Sequence, residues 1–188
     1  MGGALVALLL ITLGARALDD RPAAPSTHLT GRLAGAAFGV LVLVHLLGIV
    51  VAGRTTDGTS SFTRVIGWPV WQIVPIDGPV ALQVARMVLV VVALVLIVGV
   101  ALTGLRTPHL TIPSLALVTV TTLELCLGLL IGARGLGAGQ TNGIGPGLAV
   151  LYAVTAVGIL WALSHLASDA FPARESTDAD HRALAPSR

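Results

Sequence analysis

Four ionisable side chains sit inside long apolar runs of this chain: His45 in VLVLVHLLGIVVAG, Arg86 in ALQVARMVLVVV, Glu124 in TTLELCLG and His165 in ILWALSHLAS. Each is costly to keep in hydrocarbon, so each marks either a pairing that ties helices together or a working site. Glu124, beside Thr121 and Thr122, must be protonated or find a partner once it leaves water. Arg86 has the right sign to be that partner; the alternative is a snorkelling arginine whose head returns to the lipid headgroups. His45 adds an imidazole that can take a proton, and no metal site is expected. His45, Arg86 and Glu124 together suggest an intramembrane polar cluster. It would serve as a structural ion pair, as a proton or ion relay, or as a site for a small polar ligand.

Depth decides which of these groups can meet. With antiparallel helices, each centred on the bilayer, His45 falls roughly 5 Å from the midplane toward the outside. Arg86 and Met87 fall roughly 7–9 Å toward the same side, and Glu124 lies within about 2 Å of the midplane. His165 falls roughly 12 Å toward the cytoplasm. A bis-histidine b-type haem needs both axial ligands at one depth, and a separation on the order of 16 Å excludes His45 with His165. His45 with Met87 is an axial pair of known type, so haem b is the cofactor these residues admit. The plainer expectation is no cofactor, with Met87 filling the core and His45 hydrogen-bonded to a neighbouring helix. His165, next to Trp161, reads as an interfacial anchor.

Five apolar segments must carry these groups, at residues 1–18, 31–53, 79–104, 111–133 and 146–168. The last four each hold about 20 residues or more, enough to cross a ~30 Å hydrocarbon core. The first, MGGALVALLLITLGARAL, is shorter. Its Ala15-Arg16-Ala17 has the small-x-small form of a signal-peptide cleavage site, but the positive charge that should precede the apolar run is missing. The arginines give a second criterion. If all five segments span, Arg16, Arg21, Arg32, Arg106, Arg174, Arg182 and Arg188 share one side, against Arg54, Arg64 and Arg134 on the other. The positive-inside rule then puts the N-terminus outside and the C-terminus in the cytoplasm. The expected architecture is an all-α integral membrane protein of the cytoplasmic membrane. Residues 1–168 form one bundle of about five transmembrane helices, followed by a disordered tail at 169–188.

The connecting stretches are short. Trp68 and Trp71 flank Pro69 in SSFTRVIGWPVWQIVPIDGP, which suits an interfacial helix or re-entrant turn. RGLGAGQTNGIGPG lacks the preceding strand and the lysine of a phosphate-cradling loop, and reads as a glycine turn. GAAFG at 35–39 and GLLIG at 128–132 are GxxxG spacings, and Ala149, Ala153 and Ala156 share one helix side. Small residues of this kind let helices approach closely in lipid. They serve packing within the chain or, as the lesser option, self-association.

Composition bounds the rest. The chain of 188 residues is 55% hydrophobic and only 11% charged, with mean hydropathy +0.92. Soluble domains run about 25% charged, so lipid is the expected solvent. All eleven basic residues are arginine, and the Ala/Val/Leu/Gly richness points to a high-GC, actinobacterial genome. Those arginines are scattered, with no basic stripe or aromatic platform for nucleic acid. Cys126 lies in an apolar run and reads as a buried, inert thiol. Asp57, Asp77, Ser60 and Ser61 share one loop without a histidine, His109 stands alone, and no catalytic motif is present.

THLTGRLAGAAFGVLVLVHLLGIV resembles the opening helix of actinobacterial ferric-reductase-like membrane domains over fewer than thirty residues. That family holds its haems with paired histidines on two helices. Here each helix offers at most one interior histidine, so the family's function is not carried over. The expectation from sequence is a non-enzymatic accessory, assembly or structural subunit of a membrane complex. It would have lipid, and other membrane subunits or a second copy, as partners. The alternatives are a small proton-coupled carrier using Glu124 and a b-type haem electron-transfer protein using His45.

Overall fold

A computed structural model describes residues 28–52, 79–133 and 144–168. These form α1 (His28–Ala52), α2 (Ala81–Gly104), a 3-10 turn (Pro108–Leu110), α3 (Thr111–Ala133) and α4 (Gly145–Ser168). Four helices among the described residues are long and apolar enough to cross a membrane. The protein is an all-α, membrane-embedded bundle. Segment 1–18, the Trp68–Pro69–Trp71 stretch, most of the glycine turn and the tail lie outside the described residues.

The sequence makes helices here for reasons that would fail in water. α2 carries eight valines among its 24 residues, and a β-branched run of that density is a poor helix former in aqueous peptides. In hydrocarbon the alternative is an unsatisfied backbone, so the helix, which closes every N–H on its own carbonyls, prevails. The ends are set by tighter chemistry. Thr107 is extended, with φ −112° and ψ 111°, and Pro108 opens the 3-10 turn that feeds α3. Threonines are accommodated by bonding back along the helix, as Thr103 Oγ1 does to the Gly99 carbonyl at 2.9 Å, which removes a free hydroxyl from lipid. α1 starts at His28, ahead of the apolar segment that opens at residue 31. Packing explains the extension, because Thr30 and Gly31 are buried in the bundle.

α1 packs between α2 and α4, α3 packs on α4, and a smaller α2–α3 contact closes the ring. α1 and α3 are therefore diagonal, as are α2 and α4. Small residues govern the approaches. A Cβ on Gly99 would stand 3.4 Å from Leu33, and one on Gly35 would stand 3.9 Å from Ala167. On Gly158 it would crowd Val120 at 3.1 Å, and on Gly104 it would overlap the Ser114 hydroxyl. Gly35 of the first GxxxG spacing thus packs within the chain, whereas Gly39 has nothing within 4 Å.

The main apolar cluster lies in one half of the bundle, although Val44, Val51, Leu127 and Ile131 are also buried beyond it. It joins Ala34, Ala37, Ile97, Val100, Leu110, Leu117, Ile159, Ala162, Leu163, Leu166 and Ala167, with Leu41, Leu96 and Val120 at its margin. The other half, toward the end of α1 and the start of α2, holds the polar residues.

Candidate functional site

In that second half the four helices each bring a polar side chain inward. On α1, His45 Nδ1 lies 2.7 Å from the Leu41 carbonyl one turn back. A carbonyl only accepts, so Nδ1 donates its proton there, and in the neutral ring Nε2 keeps an open lone pair. The bond also fixes the ring's orientation, as it does for histidines that act as ligands or acceptors.

Arg86 enters from α2. A Cβ on Gly48 would stand 3.7 Å from Arg86 Nε and 3.8 Å from Cζ, so the guanidinium lies along the α1 backbone one turn beyond His45. The side chain turns into the bundle rather than out to the headgroups. Its Nε is buried and has no hydrogen-bond partner among the described residues. His45 is within electrostatic reach, as is Tyr152 from the diagonal helix α4.

Glu124 projects from α3 toward α4. Its carboxyl is hydrogen-bonded by the Thr155 hydroxyl and by the Tyr152 hydroxyl. Thr155 Oγ1 also lies 3.1 Å from the Leu151 carbonyl and 2.9 Å from the Tyr152 carbonyl. One hydroxyl proton therefore has three acceptors within reach. Thr121, one turn before Glu124, is buried with its own hydroxyl unpartnered.

Tyr152 is thus the link between the two sides of the site. It hydrogen-bonds Glu124 and interacts with Arg86. Among the described residues no ion pair joins Arg86 to Glu124. The structure brings His45 to Arg86, and Glu124 to Tyr152 and Thr155. His165 lies elsewhere, near the end of α4 that meets Gly35 of α1, with its ring 6.0 Å from that of Trp161. The α2 side chain that the structure places beside Gly48 of α1 is Arg86.

Sequence reasoning passed over Tyr152 and Thr155. The signal was available: Tyr152 is the only tyrosine of the chain, and Thr155 follows it by three residues, on the same helix face. The expectation of a buried Cys126 is corrected. The thiol is exposed on the outer surface of the bundle, because Glu124 faces inward and a residue two positions on is turned about 200° around the helix.

Chemically, the arrangement offers a carboxyl with two hydroxyl partners, a guanidinium donor without an acceptor, and an imidazole acceptor, all inside a membrane bundle. No group of three or more His, Cys, Asp or Glu that could hold a metal ion occurs among the described residues. Compared with known families, characterised proteins and solved structures, the chain matches none.

Proposed function

We propose that the protein is a small proton-coupled membrane carrier, with Glu124 as the group that takes up and releases the proton. One observation carries this: the hydrogen bonds around Glu124 are satisfied in either protonation state. As a carboxylate, Glu124 accepts from both Thr155 and Tyr152. As a carboxylic acid, it donates to Thr155 Oγ1, whose own proton turns to the Leu151 or Tyr152 carbonyl, while the carboxyl can still accept from the Tyr152 hydroxyl. A purely structural carboxyl needs one such arrangement, and a proton-binding one needs two. The role is transport rather than catalysis. The arginine distribution supports a cytoplasmic-membrane location with the C-terminus inside.

A hydrophobic carbodiimide tests the assignment, since it modifies carboxyls that are protonated in an apolar setting. Peptide mapping should find the adduct on Glu124 at acidic pH and progressively less of it as pH rises. Absence of an adduct on Glu124 at every pH, with the protein folded, would contradict the proposal.

A second role, as subunit of a membrane complex, has its own support. Gly39 has no described residue within 4 Å of a Cβ placed on it, and it is next in line with exposed Ala36 on an outward side of α1. A close-packing helix from another chain would fit there. Carrier and subunit are compatible.

A further inference from the structure

Arg86 presents a problem that the other described residues do not solve. Its Nε is buried without an acceptor among the described residues, and a donor in that state forfeits its hydrogen bond to water with nothing in return. The obvious counter-anion, Glu124, is engaged by Thr155 and Tyr152 instead. Beside the guanidinium, His45 has the complementary vacancy: its Nδ1 proton is spent on Leu41, so the neutral ring offers Nε2 only as an acceptor. Donor and acceptor thus stand together at one level of the bundle.

We propose that Arg86 and His45 form the substrate site of the carrier, and that the substrate is a small monocarboxylic acid or its anion. A carboxyl group fits both vacancies. Its two oxygens match the fork made by Nε–H and a terminal N–H of a guanidinium. In the acid form, the carboxyl O–H has His45 Nε2 to donate to. The inference rests on the carrier reading and extends it. A carboxylate bound at Arg86 together with a proton on Glu124 enters the bundle as a neutral sum, which lowers the electrostatic penalty of crossing. Tyr152, in reach of both Arg86 and Glu124, joins the two events.

The test uses the full chain in detergent, with sodium acetate as probe and sodium chloride at matched ionic strength as control. Thermal melting should show a saturable rise of Tm with acetate, as expected for a ligand that binds the folded state, and none with chloride. Arg86→Gln should abolish the rise. Arg86→Lys, which keeps the charge and loses the fork, should weaken it, and His45→Leu should shift saturation to about tenfold higher acetate. If Arg86→Gln fails to fold, Gly48→Val leaves the arginine in place and fills the space beside it, and should weaken the acetate response. Glu124→Gln should retain the acetate response while losing carbodiimide labelling, which separates failure of the substrate site from failure of the proton site. An equal response to chloride, or a full acetate response in Arg86→Gln, would overturn the proposal.

Discussion

The two halves of this bundle are built on opposite terms. In one, Leu117, Leu163 and Leu166 have no exposed surface, and Gly104 and Gly158 let helices close to contact. In the other, the same four helices carry His45, Arg86, Glu124, Tyr152 and Thr155 inward, and the apolar cluster stops at Leu41, Leu96, Val120 and Ile159. Lipid is as apolar as leucine, so neither half is held by a hydrophobic drive between helices; packing and hydrogen bonds must do it. The packed half therefore rests on close apolar contact, and the polar half on hydrogen bonds between side chains of different helices as well as on buried residues such as Val51 and Ile131. Under the proposed carrier role, the polar half is where rearrangement would occur.

The largest effects should fall in the packed half. Leu163→Ala leaves a cavity in the middle of the cluster and should destabilise the protein by about 2–5 kcal/mol, read as a lowered Tm in detergent. If the loss there were no greater than for a lipid-facing leucine such as Leu129, the packed-half account would fail. Gly104→Val comes next. Its side chain would meet Ser114 where even a Cβ overlaps the hydroxyl, at a cost of about 1–3 kcal/mol. Pairing it with Ser114→Gly should recover part of the loss, and no recovery would mean that the close α2–α3 approach is not what Gly104 serves.

The polar half should respond more weakly and differently. Glu124→Leu strands the Tyr152 hydroxyl and should cost about 1–2 kcal/mol. Arg86→Leu removes a donor that lacks a partner among the described residues and should leave the Tm unchanged or raise it. Because the two residues form no ion pair among the described residues and meet only through Tyr152, the double mutant should depart from the sum of the singles by no more than about 1 kcal/mol. A double mutant much more stable than that sum would reveal a direct pair, and with it a structural role for the cluster.

The sequence showed more of the fold than of the site, for identifiable reasons. Runs such as 79–104 reveal themselves because length and hydropathy alone set what can span hydrocarbon. His45, Arg86 and Glu124 stood out because ionisable groups are rare in lipid. Tyr152 and Thr155 did not, since neither is costly there: threonine can bond back to its own helix, and tyrosine is common near membranes. Rotation about the helix axis was the missing quantity. Cys126 shows why: in a soluble bundle apolar neighbours mark the inside, but these helices are apolar on every face, so neighbours give no direction. The same ambiguity made Arg86 the natural partner for Glu124, where the structure places Tyr152.

Infrared difference spectroscopy across a pH titration tests directly whether Glu124 is satisfied with and without its proton. The C=O stretch of a protonated, hydrogen-bonded carboxyl should appear at low pH and vanish reversibly as pH rises. It should be absent from Glu124→Gln and altered by Thr155→Val, with the protein folded throughout. A Glu124 band that never titrates, or one whose loss coincides with unfolding, would contradict the central claim and leave the carboxyl a structural group.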